Sequence, residues 1–298
     1  MRKKTAYTNY NVVVVDNGSV DDSVTWVKEH FPGVEVISLD KNYGFSIGNN
    51  RGINFALNNY DIEYILLLNN DTEIVQENWL RKIVTFAESE ETVGIVGCKL
   101  LYPDGRIQYI GTKLTITGLS WLRPCEHKAL PETYRVDAIL GACFLIKRSV
   151  IDKIGGLDAG FSPFNDEESD FCMRAIKVGY RICMVSTAEI VHLCGTSLGK
   201  INSKYVRLVK KRNSIRFMLL NFPASWLAKR IPYEVRSFIR CFIAKNNTVK
   251  NRIPIKLRDS QDMLIEVETI VRGWLYNLKS LNEIAAKRQN RTMRLPLV

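Results

Sequence analysis

Short apolar runs alternate with longer amphipathic segments over the first hundred residues. Four runs are suited to buried strands: VVVV at 12–15, VEVIS at 34–38, YILLL at 64–68 and VGIVGC at 93–98. The segments between them have helical spacing near 20–30, 46–59 and 77–88, and Ser19 is placed to cap the first. Strand–helix alternation at this spacing predicts an α/β fold with a mostly parallel sheet and right-handed crossovers.

The pattern changes after Cys98. In the segment KLLYPDGRIQYIG, PDG stands between two alternating runs, which predicts a hairpin. Residues 117–135 are irregular and are expected to form a loop over a site. Apolar strands resume in VDAILGACFLIKRS, and a helix is expected from about Asp166 to Val178. Two strands, YRICMV and AEIVHL, follow that helix.

Charge divides the chain at about residue 200. Residues 1–199 hold 20 Lys and Arg against 25 Asp and Glu, whereas residues 200–298 hold 22 against 6. The second part contains two helical stretches, KYVRLVKKRNSIRFMLLNF and a segment from about 259 to 292. We therefore expect one α/β domain over 1–199 and a basic helical region over 200–298 that faces an anionic partner.

The anionic partner is expected to be a membrane surface. Basic segments around Trp226 and Trp274 suit the membrane interface, and no nucleic-acid reader motif accompanies the charge. No apolar run approaches 18 residues, and no apolar segment follows the basic start MRKK. These features predict a cytoplasmic protein on the inner face of the cell membrane. Seven cysteines without a C-x-x-C pair predict buried reduced thiols.

Polar residues follow the first strand in VVVVDNGSVDDS. The carboxylate of Asp16 can accept a hydrogen bond from a nucleobase N–H, and Asn17 and Ser19 precede a helix N-terminus, which favours anions. The alternative is an ordinary strand-to-helix turn with a cap.

Glycine and asparagine are concentrated in KNYGFSIGNNRG, residues 41–52. Gly44 and Gly48 allow a close approach of the backbone to a ligand, while Asn42, Asn49 and Asn50 offer donors and acceptors. The spacing is neither G-x-G-x-x-G nor a Walker loop, which excludes a Rossmann or P-loop interpretation.

The third strand ends on three polar residues, Asn69, Asn70 and Asp71, in the sequence LLLNND. Ligands of open α/β sheets bind beyond the carboxyl ends of the strands. Oxygen ligands suit Mg²⁺ or Mn²⁺ that bridges phosphates. Asn and Asp are also common turn residues, so a purely local role is the alternative.

Carboxylates are concentrated in NDEESDFCMR, where Asp166 is placed to cap and Glu167, Glu168 and Asp170 fall in the first helical turn. A general base suits this position. The structural alternative is strong, because acidic first turns stabilise helices and Asp170–Arg174 is an i,i+4 ion pair.

Taken in order, these segments resemble glycosyltransferase family 2, and most closely its rhamnosyltransferase-like branch. The resemblance covers roughly residues 5–220. It rests on VVVVDNGSVDDS, NYGFSIGNNRG, LLLNND, GACFLIKRSVIDKIGGLD, EESDFCMRA and a later His192.

The resemblance implies a GT-A fold and an inverting mechanism that requires Mg²⁺ or Mn²⁺. The chain would move a sugar from a nucleotide-sugar donor, with dTDP-rhamnose favoured by the branch, to a glycan or lipid-linked acceptor in cell-surface polysaccharide synthesis. It implies that Glu168, next to Glu167, is the general base. The donor would be bound by Asp16, Asn17, Ser19, Asn42, Asn49, Asn50, Asn69 and Asn70, and the metal by Asp71, Asn69 and His192.

Two departures from the family pattern leave an alternative open. The family's acidic pair ends in Asp, whereas Glu168 stands at that position here. The family also begins with a strand and helix before VVVVDNGS, and we expect that strand between 12–15 and 64–68, encoded upstream of the present start. The alternative is an inactive relative that serves as a binding or scaffold subunit.

Overall fold

The structure is a computed structural model of the 298-residue chain and describes residues 4–123, 129–193, 202–230, 232, 260–291 and 295. It divides into two compact units. One comprises residues 1–114, 119–196 and 292–298, and the other comprises residues 115–118 and 197–291. Part of the loop expected over a site, residues 124–128, lies outside the described residues. The functional division at residue 200 stays a prediction.

Strands and helices alternate up to β5, as the hydrophobic pattern predicts. The strands are β1 (Val13–Asp16), β2 (Glu35–Ser38), β3 (Tyr64–Leu68), β4 (Thr72–Ile74), β5 (Val93–Leu101), β6 (Ile107–Tyr109), β7 (Thr112–Thr115), β8 (Gly118–Trp121), β9 (Thr133–Val136), β10 (Cys143–Lys147) and β11 (Arg181–His192). The helices are α1 (Ser23–His30), α2 (Phe45–Asn59), α3 (Trp79–Ser89), α4 (Arg148–Ile154), α5 (Glu167–Lys177), α6 (Ser203–Asn221), α7 (Ser260–Lys279) and α8 (Leu281–Gln289).

The central sheet is mixed and has the strand order β3-β10-β5-β11-β4. β5 and β11 are parallel, but β10 runs antiparallel to both β3 and β5. β6 pairs with β5 and β9 pairs with β11, both antiparallel. Because β10 comes from a later part of the chain and enters between β3 and β5, these two strands are not the parallel neighbours that the alternation predicts.

A separate parallel pair, β1 and β2, carries the first polar cluster. Among the described strands, β1 pairs only with β2, and β3 pairs only with β10. Helix α2 packs against both β1 and β3. This helix therefore connects the two sheets that hold the predicted site residues.

The core lies between the central sheet and α3, α4 and α5. Helix α3 is amphipathic, because its buried residues recur on one face. Trp79 is fully buried and its Nε1 donates a hydrogen bond to Thr5 Oγ1 at 3.1 Å. Full burial of one such side chain stabilises the fold by about 1.5–3 kcal/mol. The buried face of α3 consists of Trp79, Leu80, Ile83, Val84 and Ala87.

Several local expectations are corrected by the structure. Ser19 does not cap α1, since the helix begins at Ser23 and the N-cap position is Asp22. The side chain of Asp166 precedes α5 without capping it. The two strands expected after α5 form the single strand β11, which continues through a register shift between Val185 and Glu189.

Four described cysteines are free and buried, as expected for structural thiols: Cys98, Cys143, Cys172 and Cys183. Cys125, Cys194 and Cys241 lie outside the described residues. The hairpin predicted around PDG is confirmed, because β5 and β6 pair antiparallel with Leu100 opposite Tyr109.

The second unit consists mainly of α6, α7 and α8, and the single helix expected over 259–292 breaks at Ser280. Asn277 is fully buried and donates a hydrogen bond to the carbonyl of Arg212 at 2.9 Å, and Arg216 pairs with Glu283. No helix in the described part of the chain combines the length and apolar character that crossing a bilayer requires.

Candidate active site

The side chain of Asn17 ties the turn after β1 to the turn before α2. Its Oδ1 accepts a hydrogen bond of 2.9 Å from the backbone N–H of Tyr43. Its Nδ2 donates to Asn42 Oδ1 at 3.2 Å and to the carbonyl of Gly44 at 3.1 Å. The predicted donor-binding residues Asn17 and Asn42 therefore lie together. Both ends of the Asn17 amide support the loop, so the geometry favours a positioning role for this residue.

The carboxylate of Asp16 lies at the end of β1 and accepts hydrogen bonds from the backbone N–H of Ser19 at 3.3 Å through both oxygens. Asp16 is half-buried and Ser19 is exposed. The side chains remain accessible at the carboxyl end of β1, and the predicted contact with a nucleobase stays a prediction.

Gly44 and Gly48 allow close packing within the protein, where the sequence suggested an approach to a ligand. Gly44 has φ +85°, and a Cβ there would lie 2.6 Å from Pro163 Cα. The next residue, Phe45, donates a backbone hydrogen bond of 2.7 Å to the Pro163 carbonyl. A Cβ at Gly48 would lie 3.2 Å from Asn17 Nδ2. Gly44 thus lets the start of α2 pack against the loop before α5, and Gly48 lets it pack against the Asn17 side chain.

Asn49 and Asn50 face different surroundings although they are adjacent on α2. Asn49 donates to the carbonyl of Phe45 in the preceding turn at 2.9 Å. Asn50 is fully buried and exchanges two hydrogen bonds with the backbone of Leu157, at 2.9 Å and 2.8 Å. Both ends of the Asn50 amide are therefore taken by the protein. The geometry favours a structural role for Asn50 over the predicted contact with a donor.

The turn that follows β3 is held at both ends. The backbone N–H of Asn69 donates to the carbonyl of Ala142 at 3.2 Å, which continues the β3–β10 ladder by one bond. Thr72 Oγ1 donates back to the carbonyl of Asn69 at 2.7 Å. Asn70 is exposed at the tip of the turn, and Asp71 follows it.

Asp71 and His192 meet at the edge of the central sheet, where β4 pairs with the end of β11. His192 is opposite Thr72 in this pairing, and its Nε2 lies 3.2 Å from Asp71 Oδ1. Both side chains are mostly buried. The structure thus brings together two side chains that are 121 positions apart in the printed sequence.

The Asp71–His192 pair has the donor atoms that a divalent ion requires, a carboxylate oxygen and an imidazole nitrogen. In the described part of the chain, no three or more His, Cys, Asp or Glu side chains group as a metal site. Mg²⁺ and Mn²⁺ at phosphate-transfer sites are commonly held by one or two protein groups, with substrate phosphates and water as the other ligands. The pair therefore fits an ion that arrives with a diphosphate.

The predicted general base, Glu168, lies in the first turn of α5. Its Oε1 accepts a hydrogen bond of 3.2 Å from the backbone N–H of Gly141. Its Oε2 is buried and has no hydrogen-bond partner among the described residues. Burial raises the pKa of Glu168, whereas the hydrogen bonds from backbone N–H groups lower it. A carboxylate with a raised pKa and one oxygen without a hydrogen-bond partner is suited to accept a proton.

Glu167 and Asp170 are more deeply buried than Glu168, at 2% and 0% exposure. Asp170 pairs with Arg174 at 3.2 Å, and Arg174 also donates to the carbonyls of Ile154 and Gly156. Desolvation lowers the pKa of Arg174 to about 10. This pair is the structural i,i+4 contact that the sequence offered as an alternative, and it anchors α5 to the loop after α4.

The entry to α5 has an unusual backbone. Asn165 and Asp166 adopt φ +84° and +73°, a left-handed conformation that non-glycine residues rarely adopt. Such conformations cost about 1–3 kcal/mol each and concentrate at functional sites. The strained entry immediately precedes Glu167 and Glu168.

The β3–β10 ladder connects the two chemical groups of the site. Asn69 bonds to Ala142, and the adjacent Gly141 bonds to Glu168. The turn that carries Asp71 and the helix that carries Glu168 are therefore fixed to consecutive residues of one segment. Gly141 also lies against α2, because a Cβ there would meet the Phe45 ring at 2.7 Å.

Two residues of the site carry no signal that we recognised in the sequence. Gly141 is one of many glycines, and its contact with Glu168 spans 27 positions. Gln108 contacts His192 across 84 positions from a strand of three residues. Neither residue belongs to a motif, so only the assembled sheet reveals them.

The mixed sheet and its flanking helices form a GT-A fold. Residues 2–155 match the family described as "Glycosyl transferase family 2", and the chain belongs to this family. A hexosyltransferase of low-salt glycan biosynthesis, Agl10 of Haloferax volcanii, is 30% identical over 76% of this chain and 72% of its own length.

Further relatives differ in length and name. The O-antigen biosynthesis protein RfbC of Myxococcus xanthus is 28% identical over 63% of this chain, and the chain spans only 15% of that protein. An uncharacterized protein of Sinorhizobium fredii, y4gI, is 31% identical, and the chain spans 22% of it. The N-acetylglucosaminyl-diphospho-decaprenol L-rhamnosyltransferase of Mycobacterium tuberculosis is 22% identical over 76% of this chain and 80% of its own length.

Solved structures share the fold at low sequence identity. GalNAc-T7, crystallised with UDP, GalNAc and Mn²⁺, aligns with a TM-score of 0.56 over 91% of this chain and 51% of its own, at 14% identity. TarS of S. aureus aligns with a TM-score of 0.50 over 90% of this chain and 45% of its own, at 18% identity. These likenesses establish the architecture of the sheet and its flanking helices.

Proposed function

We propose that the chain is an inverting glycosyltransferase that moves a sugar from a nucleoside-diphosphate donor to a glycan or lipid-linked acceptor in cell-surface polysaccharide synthesis. The observation that carries the proposal is the attachment of two different chemical groups to one segment. The turn that carries Asp71 bonds to Ala142, and Asp71 offers metal ligands together with His192. Glu168 bonds to the adjacent Gly141 and offers a base.

Glu168 acts as the general base in this proposal. The hydrogen bond from Gly141 holds Oε1, which leaves Oε2 to accept the proton of the acceptor hydroxyl. As that O–H bond breaks, the acceptor oxygen forms a bond to the anomeric carbon from the face opposite the diphosphate. The bond between the anomeric carbon and the diphosphate oxygen breaks, and the diphosphate leaves with its electron pair. General-base catalysis of this kind contributes about 10²–10⁴-fold.

Asp71 and His192, with Asn69 at the start of the same turn, would hold Mg²⁺ or Mn²⁺. When bound, the ion neutralises charge on the diphosphate leaving group. Asp16, Ser19, Asn42 and Asn70 are the proposed contacts to the donor. Asn49 is a further proposed contact to the donor. Asn17 supports the loop that carries Asn42, and Asn50 holds α2 against Leu157.

Rhamnose is the proposed sugar and dTDP-rhamnose the proposed donor. The support is the similarity to the mycobacterial rhamnosyltransferase and the rhamnosyltransferase-like order of the motifs. The name of that relative also includes a diphospho-decaprenol, which supports a lipid-linked acceptor here.

We further propose that the chain works at the inner face of the cell membrane as a peripheral protein. Residues 200–298 hold 22 Lys and Arg against 6 Asp and Glu. On α7, Val271, Leu275 and Leu278 are exposed at i, i+4 and i+7, so they share one helix face. The apolar face of α7 and the basic charge of the region as a whole together suit an anionic lipid surface.

A donor screen tests the proposed activity. The full chain is incubated with dTDP-rhamnose and with UDP- and GDP-sugars in the presence of Mn²⁺ or Mg²⁺, and release of the nucleoside diphosphate is measured. We expect release from one donor class, strongest from dTDP-rhamnose, and loss of release with EDTA. A folded chain that neither binds nor hydrolyses any of these donors would support the alternative of an inactive scaffold subunit.

A further inference from the structure

We propose that Gln108 is a positioning residue that determines which ring nitrogen His192 presents to the metal. The proposal rests on the metal-dependent function proposed above and adds a residue to it. Gln108 is the central residue of β6, and His192 is the last residue of β11. Both side chains are more than nine-tenths buried.

The sheet places the two residues within reach of each other. At its carboxyl-terminal half, β5 has β6 on one side and β11 on the other. Leu101 of β5 pairs with Ile107 of β6 and with Val191 of β11. Gln108 and His192 are the residues after these partners, and two hydrogen bonds join them although they are 84 positions apart in the chain.

The orientation of the Gln108 amide is set by the backbone of His192. Gln108 Nε2 donates a hydrogen bond of 2.8 Å to the carbonyl oxygen of His192. The reversed amide would place Oε1 against this carbonyl, and two acceptors would then face each other without a hydrogen. The carbonyl therefore selects the orientation in which Gln108 Oε1 faces the His192 ring.

The oriented amide in turn selects the hydrogen position on the ring. Gln108 Oε1 lies 2.7 Å from His192 Nδ1, and because an amide oxygen only accepts, Nδ1 must carry the hydrogen. A ring with one hydrogen then has its lone pair on Nε2. That nitrogen is the one that lies 3.2 Å from Asp71 Oδ1. The lone pair and the carboxylate oxygen are the two donor atoms of the proposed metal site.

Without Gln108, Asp71 would favour the opposite arrangement. A carboxylate 3.2 Å from Nε2 attracts a hydrogen onto that nitrogen, and Nε2–H cannot ligate a metal ion. Gln108 prevents this competing arrangement by holding the hydrogen on Nδ1. Loss of a group that orients a ligating histidine typically lowers metal affinity by about 10- to 100-fold.

Two substitutions of similar length separate positioning from packing. Gln108→Met fills the space but offers no acceptor to Nδ1. Gln108→Glu keeps an acceptor oxygen toward Nδ1, and in its protonated form it can also donate to the His192 carbonyl. Circular dichroism and thermal unfolding first establish that both variants of the full chain are folded.

The first readout needs no metal. The ring nitrogens of ¹⁵N-histidine-labelled protein are observed by NMR in alkaline buffer, and His192 is assigned from the resonance that His192→Gln removes. The other two histidines of the chain, one of them the exposed His30, provide internal references. We expect the hydrogen on Nδ1 in the wild type and in Gln108→Glu, and a shift of the hydrogen toward Nε2 in Gln108→Met.

The second readout is Mn²⁺ affinity, measured by EPR of free Mn²⁺ in the presence of dTDP. We expect Gln108→Met to weaken binding about 10- to 100-fold and Gln108→Glu to stay within a few-fold of the wild type. The proposal is overturned if Gln108→Met keeps the hydrogen on Nδ1, or if both variants lose Mn²⁺ affinity equally. A wild type that binds no Mn²⁺ contradicts the proposed metal site itself, and the NMR result still decides what Gln108 does to the ring.

Discussion

The backbone N–H of Gly141 donates a hydrogen bond of 3.2 Å to Oε1 of Glu168, and this contact ties α5 to the chain that enters β10. This main-chain hydrogen bond positions the Glu168 carboxylate next to the central sheet. Its second oxygen remains buried and without a hydrogen-bond partner in the described residues. Such an arrangement favours proton acceptance but costs stability when the carboxylate is ionised.

This cost predicts that Glu168→Gln stabilises the protein at neutral and higher pH. Burial raises the pKa of Glu168 in the folded state, so ionisation destabilises the fold as pH rises through that raised pKa. At pH below the usual glutamate value of about 4.3, the wild type is protonated in both states and should match the variant. Thermal unfolding between pH 4 and pH 8 measures the difference, with the exposed Glu73→Gln as the control. A difference that does not change with pH would show that ionisation of Glu168 is not its cause.

Substitution of Asp71 or His192 should weaken donor binding only when metal is present. Asp71→Ala and His192→Ala each remove one donor atom of the 3.2 Å pair, and we expect a loss of at least about tenfold in Mn²⁺-dependent dTDP affinity. Isothermal titration calorimetry with and without Mn²⁺ makes the measurement. Glu73→Gln on the adjacent β4 is the matched control. If His192→Ala binds with unchanged metal dependence, the histidine is a structural residue of the strand edge.

Asn50 should contribute to stability more than to donor binding. Asn50→Ala leaves the backbone N–H and carbonyl of Leu157 without their buried partners, and each such group costs about 1–3 kcal/mol. Urea unfolding should therefore show a loss of about 2–4 kcal/mol. Asn58→Ala, at an exposed position of the same helix, should change stability little. A stable Asn50→Ala variant with weakened donor binding would restore the role that the sequence resemblance implied.

The exposed face of α7 should contribute to membrane binding. We expect the full chain to bind vesicles that contain anionic lipid, and binding should fall as salt is added because the attraction is partly electrostatic. Leu275→Ser with Leu278→Ser should weaken this binding, whereas Ala285→Ser, at an exposed position of α8, should not. Vesicle sedimentation makes the measurement. Equal binding to neutral vesicles, or binding that salt leaves unchanged, argues against the proposed surface.

Local pattern predicted the elements of the first hundred residues closely. The run YILLL is β3 at Tyr64–Leu68, and the helix expected at 46–59 is α2 at Phe45–Asn59. What the pattern could not predict is the partner of each strand. The insertion of β10 between β3 and β5 depends on contacts with segments about 80 and about 50 positions away in the chain, which no local periodicity records.

The same limit applies to the candidate site. Polar side chains at the ends of β1 and β3 were visible in the sequence, but their individual tasks were not. The resemblance places Asn17 and Asn50 at the donor, whereas the structure shows their amides bonded to backbone. Gln108 looks like an ordinary strand residue until its contact with His192 is seen. Hydrogen bonds between distant segments decide these roles.

The central claim is that Glu168 accepts the proton of the attacking hydroxyl, and one variant tests it most directly. Transfer by Glu168→Gln is compared with wild-type transfer, using the donor identified in the screen, while donor binding is measured in parallel by calorimetry. We predict that transfer falls by about 10²–10⁴-fold while Mn²⁺-dependent donor affinity stays within a few-fold of the wild type. Near-normal turnover by Glu168→Gln would contradict the account, and Glu167 would be the next carboxylate to substitute.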